Sequence, residues 1–387
     1  MSRSTWDDKI EAFLYWNICA IFFFLPISTS LLEISSSLAL AVWIFSSNFI
    51  KTRDRWWHEA WVKPVLLFML LPVVALLWTD DLVRGVDLAS KSYYWFLSFV
   101  VASVSFARYS YKRIVDAFLL GLFITSLIVL LQIVGIIPIK SGRAVAFMGP
   151  ITLSLLFVLG ITLVSFYFSR TPALKGKILI MIVILLYVVG LAVSGGRIGY
   201  LVCILLSPLI LHNILGRRYI LGLAAAVILG AVIAVSVPVV QQRAMETVNN
   251  TKAFFAGSQR NSSVGLRFQM WSGAVQMLRD NPILGVGTGG FNSAIRKYTD
   301  ETKLLAHDQP HNSYLYVASS FGLVGIVSFG WIIVVFFRKG WHLRHRIEGY
   351  SLVAFALVLF LGSMTDSQIL SLATAKMFAL FMGARVE

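Results

Sequence analysis

Charge is scarce in this 387-residue chain: Asp, Glu, Lys and Arg together make up 13% of it. A soluble domain carries about a quarter. So few charges cannot cover a water-facing surface, and lipid is the solvent for most of the chain. Cysteine is nearly absent too. Cys19 and Cys203 both lie in apolar runs and read as small buried hydrophobes, so no disulfide framework or thiolate zinc site is implied. There is no internal repeat of about 20–50 residues and no low-complexity tract. The first apolar run is not followed by a small-residue cleavage site and reads as a retained signal anchor.

Apolar residues are 58% of the chain and the mean hydropathy is +0.80. A spanning helix needs roughly 20 such residues. Twelve segments qualify: about 12–30, 33–50, 62–78, 92–107, 114–137, 147–169, 177–195, 198–215, 219–239, 313–337, 350–365 and 367–384. The expected fold is an all-α polytopic membrane bundle. Basic residues test the count. With the N-terminus in the cytoplasm, alternate loops carry Lys51, Arg53, Arg55 and Lys63; Arg108, Lys112 and Arg113; Arg170, Lys175 and Lys177; Arg217 and Arg218; and Arg338, Lys339, Arg344 and Arg346. The other loops are poorer in Lys and Arg. This is the positive-inside pattern, and it puts both termini in the cytoplasm. The net charge of +15 then reports orientation and implies no nucleic-acid partner.

One outer loop is long and polar, which divides the chain into residues 1–239 with nine spans, a periplasmic loop at 240–312, and 313–387 with three more. A loop of that length is expected to have structure or purpose. Leu266, Met270, Trp271, Ala274 and Leu278 recur at helical spacing before Asn281-Pro282 ends the run. A helical cap resting on the bundle is expected.

The polar residues on this outer side are the candidates for chemistry. Arg143 lies in SGRAVAFMGP, Arg197 in AVSGGRIGY, Arg267 in SVGLRFQMWSGA, and His311 opens HNSYLYVASSFGLVG. Each arginine fits two roles. It can anchor at the headgroups, or it can grip phosphate, which a planar guanidinium matches bidentately. His311 either ends the loop or accepts a proton near neutral pH. Asp308 is placed to cap the helix behind it, with Gln309 and Pro310 in the first turn. No metal cluster stands on this side; Asp80 and Asp81 have no helical partner. HDQPH at 307–311 imitates a zinc-protease spacing, but Pro310 breaks the helix that both histidines would need to share. GVGTGG at 285–290 follows no strand and reads as a tight turn folding the cap back. Gly322 and Gly325 read as points of close approach for a neighbouring helix or lipid tail. Arg84 reads as an interfacial anchor.

In order, GRAVAFMGP, SGGR, RFQMW, NPILGVGTGGF and HN-x9-G-x2-G resemble the O-antigen ligase and polymerase superfamily of membrane glycosyltransferases, over about residues 140–330. The resemblance implies an enzyme of the bacterial inner membrane with its active site facing the periplasm. It implies inverting, metal- and cofactor-independent transfer of a glycan from undecaprenyl pyrophosphate to the lipid A core in lipopolysaccharide biosynthesis. His311 matches the family's essential histidine. Arg197 and Arg267 match its arginines for the pyrophosphate, and Arg143 is a third whose AFMGP context departs from the commoner form. Asn312 and Asp366 are candidate supporting residues, Asp366 as a partner that orients His311. A single large outer loop favours ligase over polymerase or protein O-oligosaccharyltransferase. A lipid-linked glycan flippase is the rival class. It would place ionisable residues inside the spans, and here Lys376 is the main one.

Overall fold

The computed structural model describes residues 3–139, 144–224, 245, 248–249, 251–252, 263–298, 308–370 and 372–383. They form helices and connecting turns, with no strand among them. The main helices in order are α1 (Arg3–Phe24), α2 (Thr29–Phe45), α3 (Val62–Val74), α4 (Leu82–Ser90), α5 (Phe96–Ala102), α6 (Tyr111–Ile133), α7 (Pro150–Arg170), α8 (Leu174–Ser194), α9 (Arg197–Leu215), α10 (Ser263–Asp280), α11 (Phe291–Ile295), α12 (Ser313–His342), α13 (Ile347–Gly362) and α14 (Leu372–Gly383).

Among the described residues, five helical stretches are long and apolar enough to cross a membrane: α6, α7, α8, α12, and the stretch Arg197–Ala224 that begins with α9. The chain is a multi-pass membrane protein. α7 is its hub. Every residue from Leu153 to Phe166 is buried, as expected for a helix that is apolar all round. Its neighbour α8 does the opposite. Ile178, Leu179, Ile182, Leu185, Val188 and Val189 are exposed, an apolar face suited to lipid on a helix long enough to span.

Two expected spans are shorter than the pattern suggested. The segment 92–107 is a 3₁₀ turn at Lys91–Trp95 followed by the seven-residue α5, and a full span needs roughly 20 residues. The last segment opens with a 3₁₀ turn at Gln368–Leu370, and its α-helix is the twelve-residue α14, Leu372–Gly383. Of the segment 219–239, only 219–224 lies within the described residues.

The basic loops gather at one end of the bundle. Asp7, Asp8 and Glu11 of α1 pair with Lys51, Arg108 and Arg55 at 2.7, 2.6 and 3.3 Å. Lys339 near the end of α12 lies 3.9 Å from Glu59. The opposite end carries His311, Asp366 and the turn before Arg197. Lys376 is fully buried in α14 and meets Glu33 of α2 at 2.6 Å. Tyr93 donates to the same carboxylate at 3.0 Å, and the Tyr94 ring lies 4.8 Å from the ammonium. This buried lysine is therefore paired across elements.

α12 is interrupted at Gly322 (φ 60°, ψ −149°). The break orphans two carbonyls and two amides, and residues 282–287 satisfy all four. Val286 and Gly287 donate to the carbonyls of Ser319 and Ser320 at 2.9 and 3.0 Å, while Leu323 and Val324 donate to Pro282 and Ile283 at 2.8 and 3.3 Å. NPILGVG is thus a plug inserted into a broken helix. GVGTGG is the tight turn expected, and Gly322 is a point of close approach whose neighbour is the plug backbone. A Cβ at Gly322 would stand 2.4 Å from the Ile283 carbonyl, and one at Gly285 would stand 2.4 Å from Ser320. A broken helix inside a membrane persists only where other protein groups re-satisfy its backbone. Gly322→Ala should therefore destabilise the protein by about 1–3 kcal/mol from backbone strain alone and expel the plug. Melting in detergent and protease nicking of residues 281–290 are the measurements, and a wild-type melt would contradict the account.

Candidate active site at the mouth of α12

The helix behind His311 is capped four residues later than Asp308 would cap it, at Asn312. Asn312 is its N-cap, accepting from the Leu315 amide at 3.0 Å. Asp308 does not cap it and pairs instead with Arg84 of α4 at 3.1 Å. Asn also ranks among the best N-caps, and Pro310 ahead of it is better placed in the incoming loop. Asn312 is further tied to the α13–α14 connection: its amide donates to Ser367 Oγ at 3.1 Å and its Nδ2 to the Met364 carbonyl at 2.8 Å. Its role is to anchor the mouth of the helix.

His311 therefore sits just outside α12, with a left-handed backbone (φ 51°). That conformation is uncommon for a residue with a side chain and recurs where the surroundings over-determine a functional group. The surroundings here do so. The preceding Pro310 carbonyl accepts from Trp271 Nε1 of α10 at 2.9 Å, and Ser313 donates through its amide to the Ser363 carbonyl at 2.9 Å.

The imidazole is aimed by a carboxylate. His311 Nδ1 lies 3.1 Å from Asp366 Oδ1, and the two side chains are 27% and 17% exposed. The other oxygen, Oδ2, accepts from Gln368 Nε2 at 2.5 Å, and Gln368 Oε1 accepts from the buried Thr374 hydroxyl at 3.0 Å. Thr374 thus donates to Gln368 and Gln368 to Asp366, so the carboxylate accepts from Gln368 on one oxygen and faces His311 with the other. An ionised Asp366 keeps the imidazole proton on Nδ1 and leaves Nε2 as the ring's acceptor atom. Asp366 was an open candidate on the sequence, and the structure brings it to His311.

Arg197 and Arg267 lie on the elements at this end of the bundle, and neither bonds the dyad. Arg197 is exposed at the first position of α9. The turn before it rests on the start of α7, since a Cβ on Gly196 would stand 2.6 Å from the Pro150 carbonyl. The same part of α7 packs at Gly362, next to the Ser363 that holds Ser313. Arg267 is exposed on α10, one turn before Trp271 and so on the same face as the indole that grips Pro310. Neither arginine has an acidic partner among the described residues. Arg143 lies outside the described residues.

α10 reaches the site through a small core of its own. Met270, Ala274 and Met277 bury against Phe291, Ala294 and Ile295 of α11, with Leu315 of α12 and Val286 of the plug beside them. The helical spacing in this stretch was legible, and the helix ends at Asp280 before Asn281-Pro282. Tyr298 donates to Asp280 and closes the unit; burial first, then that carboxylate, pushes its phenol up to about 12. Sequence reasoning missed Arg84, which stands 3.1 Å from Asp308 and 3.8 Å from Asp81. No local pattern links positions so far apart. An apolar cleft also begins beside the site, lined by Phe68, Trp95, Tyr316, Val317 and Phe321, with Lys91 and Thr288 among its polar residues.

Residues 180–330 match the family model described as O-antigen ligase. The match contains Arg197, Arg267, His311 and the plug, and it excludes Arg143 and Asp366. The chain is also similar to an uncharacterized protein of Haemophilus influenzae, at 26% identity over 214 residues. That alignment covers 52% of this chain and 53% of the relative, so the chain spans about half the length of the curated protein it matches.

Proposed function

We propose, from the O-antigen ligase domain that this chain carries over residues 180–330, that it transfers a glycan from undecaprenyl pyrophosphate to the lipid A core, on the periplasmic face of the bacterial inner membrane. The observation that carries the reading is the His311–Asp366 pair at the mouth of α12, with the exposed Arg267 one turn from the Trp271 that grips Pro310 and the exposed Arg197 at the same end of the bundle.

In this reading the acceptor hydroxyl gives its proton to Nε2 of His311 while its oxygen bonds to the anomeric carbon. The bond from that carbon to the diphosphate oxygen breaks, and both electrons leave with the diphosphate. Attack opposite the leaving group inverts the anomeric centre. Arg197 and Arg267 balance the charge that develops on the diphosphate, with Arg143 as a third candidate. The amino end of α12 adds partial positive charge at the same place. The apolar cleft beside Tyr316 and Phe321 suits the carrier's hydrocarbon chain.

The test is to incubate purified full-length protein with glycan-loaded undecaprenyl pyrophosphate and defined acceptors, and to identify the product. Glycan on lipid A core supports ligase. Glycan added to a second lipid-linked glycan, or to protein, supports polymerase or protein transfer. Translocation with the glycan still on its carrier supports a flippase. The buried pairing of Lys376 with Glu33 weighs against an ion-lined path.

Because arginines carry the leaving-group charge in this mechanism, transfer should run at the same rate in EDTA as without it. A purified enzyme that stops in chelator and recovers with magnesium or manganese would return that task to a divalent ion.

A further inference from the structure

The far end of the bundle from His311 holds a groove that the transfer chemistry does not use. It has a volume of about 640 Å³ and opens between the end of α7, the start of α8, the end of α9 and the end of α12. Arg170, Lys177, His212, Arg344 and His345 line it, and no Asp or Glu is among its lining residues. No carboxylate pairs with these groups among the described residues. Basic loops alone would be explained by orientation, but orientation does not require Arg170 of α7, Lys177 of α8 and Arg344 of the turn after α12 to converge on one concavity. Nor does it explain how they are held. Arg170 lies over the Phe166 ring at 4.6 Å, Arg344 over Trp341 at 4.7 Å and Lys177 over Phe168 at 5.5 Å. Arg344 also donates to the Trp341 carbonyl at 2.9 Å. The floor is polar and ordered: Asn213 donates to Tyr350 at 2.7 Å and to Ser165 at 3.0 Å.

We propose that this groove binds a phosphate-bearing anion, and that its source is the headgroup of an anionic membrane phospholipid. Guanidinium and ammonium groups without acidic partners, gathered in one cavity, select phosphate oxygens. The neighbouring surface selects lipid over free phosphate. Ile178, Leu179 and Ile182 of α8 and Ile204 and Leu205 of α9 are exposed on two of the helices that line the groove, which offers apolar surface to the acyl chains of a lipid whose headgroup enters it. Basic pockets between spanning helices take headgroups in this way.

The experiment uses the full chain purified in a neutral detergent. Its melting temperature is followed against phosphatidylglycerol, phosphatidylcholine and inorganic phosphate. Phosphatidylglycerol should raise it saturably, and phosphatidylcholine should not. The Arg170→Gln/Lys177→Gln/Arg344→Gln variant keeps the polar stems and should bind about a hundredfold more weakly, or about fivefold per cation removed. The single variants Arg170→Gln and Arg344→Gln, each expected to lose about fivefold, keep the test decisive if the triple variant folds poorly. Arg53→Gln/Lys63→Gln removes two cations outside the groove and should leave the shift intact. The proposal is overturned if inorganic phosphate alone reproduces the shift, if phosphatidylcholine equals phosphatidylglycerol, or if the groove variants respond like wild type.

Discussion

Replacing His311 by alanine should lower glycan transfer by about 10²–10⁴-fold, the range for loss of a positioned general base. Folding should survive, because the side chain is partly exposed and lies outside α12, whose start is held by Asn312 and Ser313. The measurement is initial rate with a fixed donor and acceptor, beside a melt in the same detergent. Asp366→Asn is the companion variant. It preserves shape and can keep the Gln368 contact, but its amide no longer holds the Nδ1 proton in place. Its loss should fall mainly on turnover, with apparent donor affinity little changed. Near wild-type turnover in His311→Ala would remove the histidine from the chemistry. A normal rate in Asp366→Asn would reduce the carboxylate to a tether for the loop.

Arg197→Lys and Arg267→Lys should each cost about ten- to a hundredfold in transfer although charge is kept, because an ammonium cannot reproduce two parallel bonds to a diphosphate. Arg84 makes the comparison informative. On the sequence it was an anchor at the same face, indifferent to substitution. In the structure its guanidinium holds Asp308, three residues before His311. Arg84→Lys retains one ion pair and should stay close to wild type. Arg84→Ala frees the loop and should lower turnover by mispositioning His311. Rates against donor concentration for these variants, in one lipid environment, are the test. Equal and mild effects at 84, 197 and 267 would make all three anchors and put the diphosphate elsewhere.

Part of this site could be read without coordinates because it rests on local or cumulative signals. His311 was visible as a polar residue beside an apolar run. Arg197 was visible because apolar spans flank it on the side where positive charge is disfavoured. Asp308 was misassigned because Asp and Asn are equally good caps, and only the partner 224 positions away in sequence, Arg84, separates them. The close approach at Gly322 was legible, but its partner was not. A glycine that permits close packing and a glycine that breaks a helix look alike until the backbone that fills the break is known.

The low charge, the apolar runs and the alternation of basic loops were enough to make this a multi-pass membrane protein, since bilayer thickness and charge bias act on each segment separately. The helical spacing of Met270, Ala274 and Met277 likewise announced a folded unit between spans. Three things were decided only by tertiary structure. His311 faces Asp366 across 55 positions. Residues 282–287 replace the hydrogen bonds that α12 loses at Gly322. Lys376 is neutralised by Glu33 from the other end of the chain. Each joins segments that share no period and no neighbouring residues, so the pairing follows from which groups would otherwise be left buried without a partner.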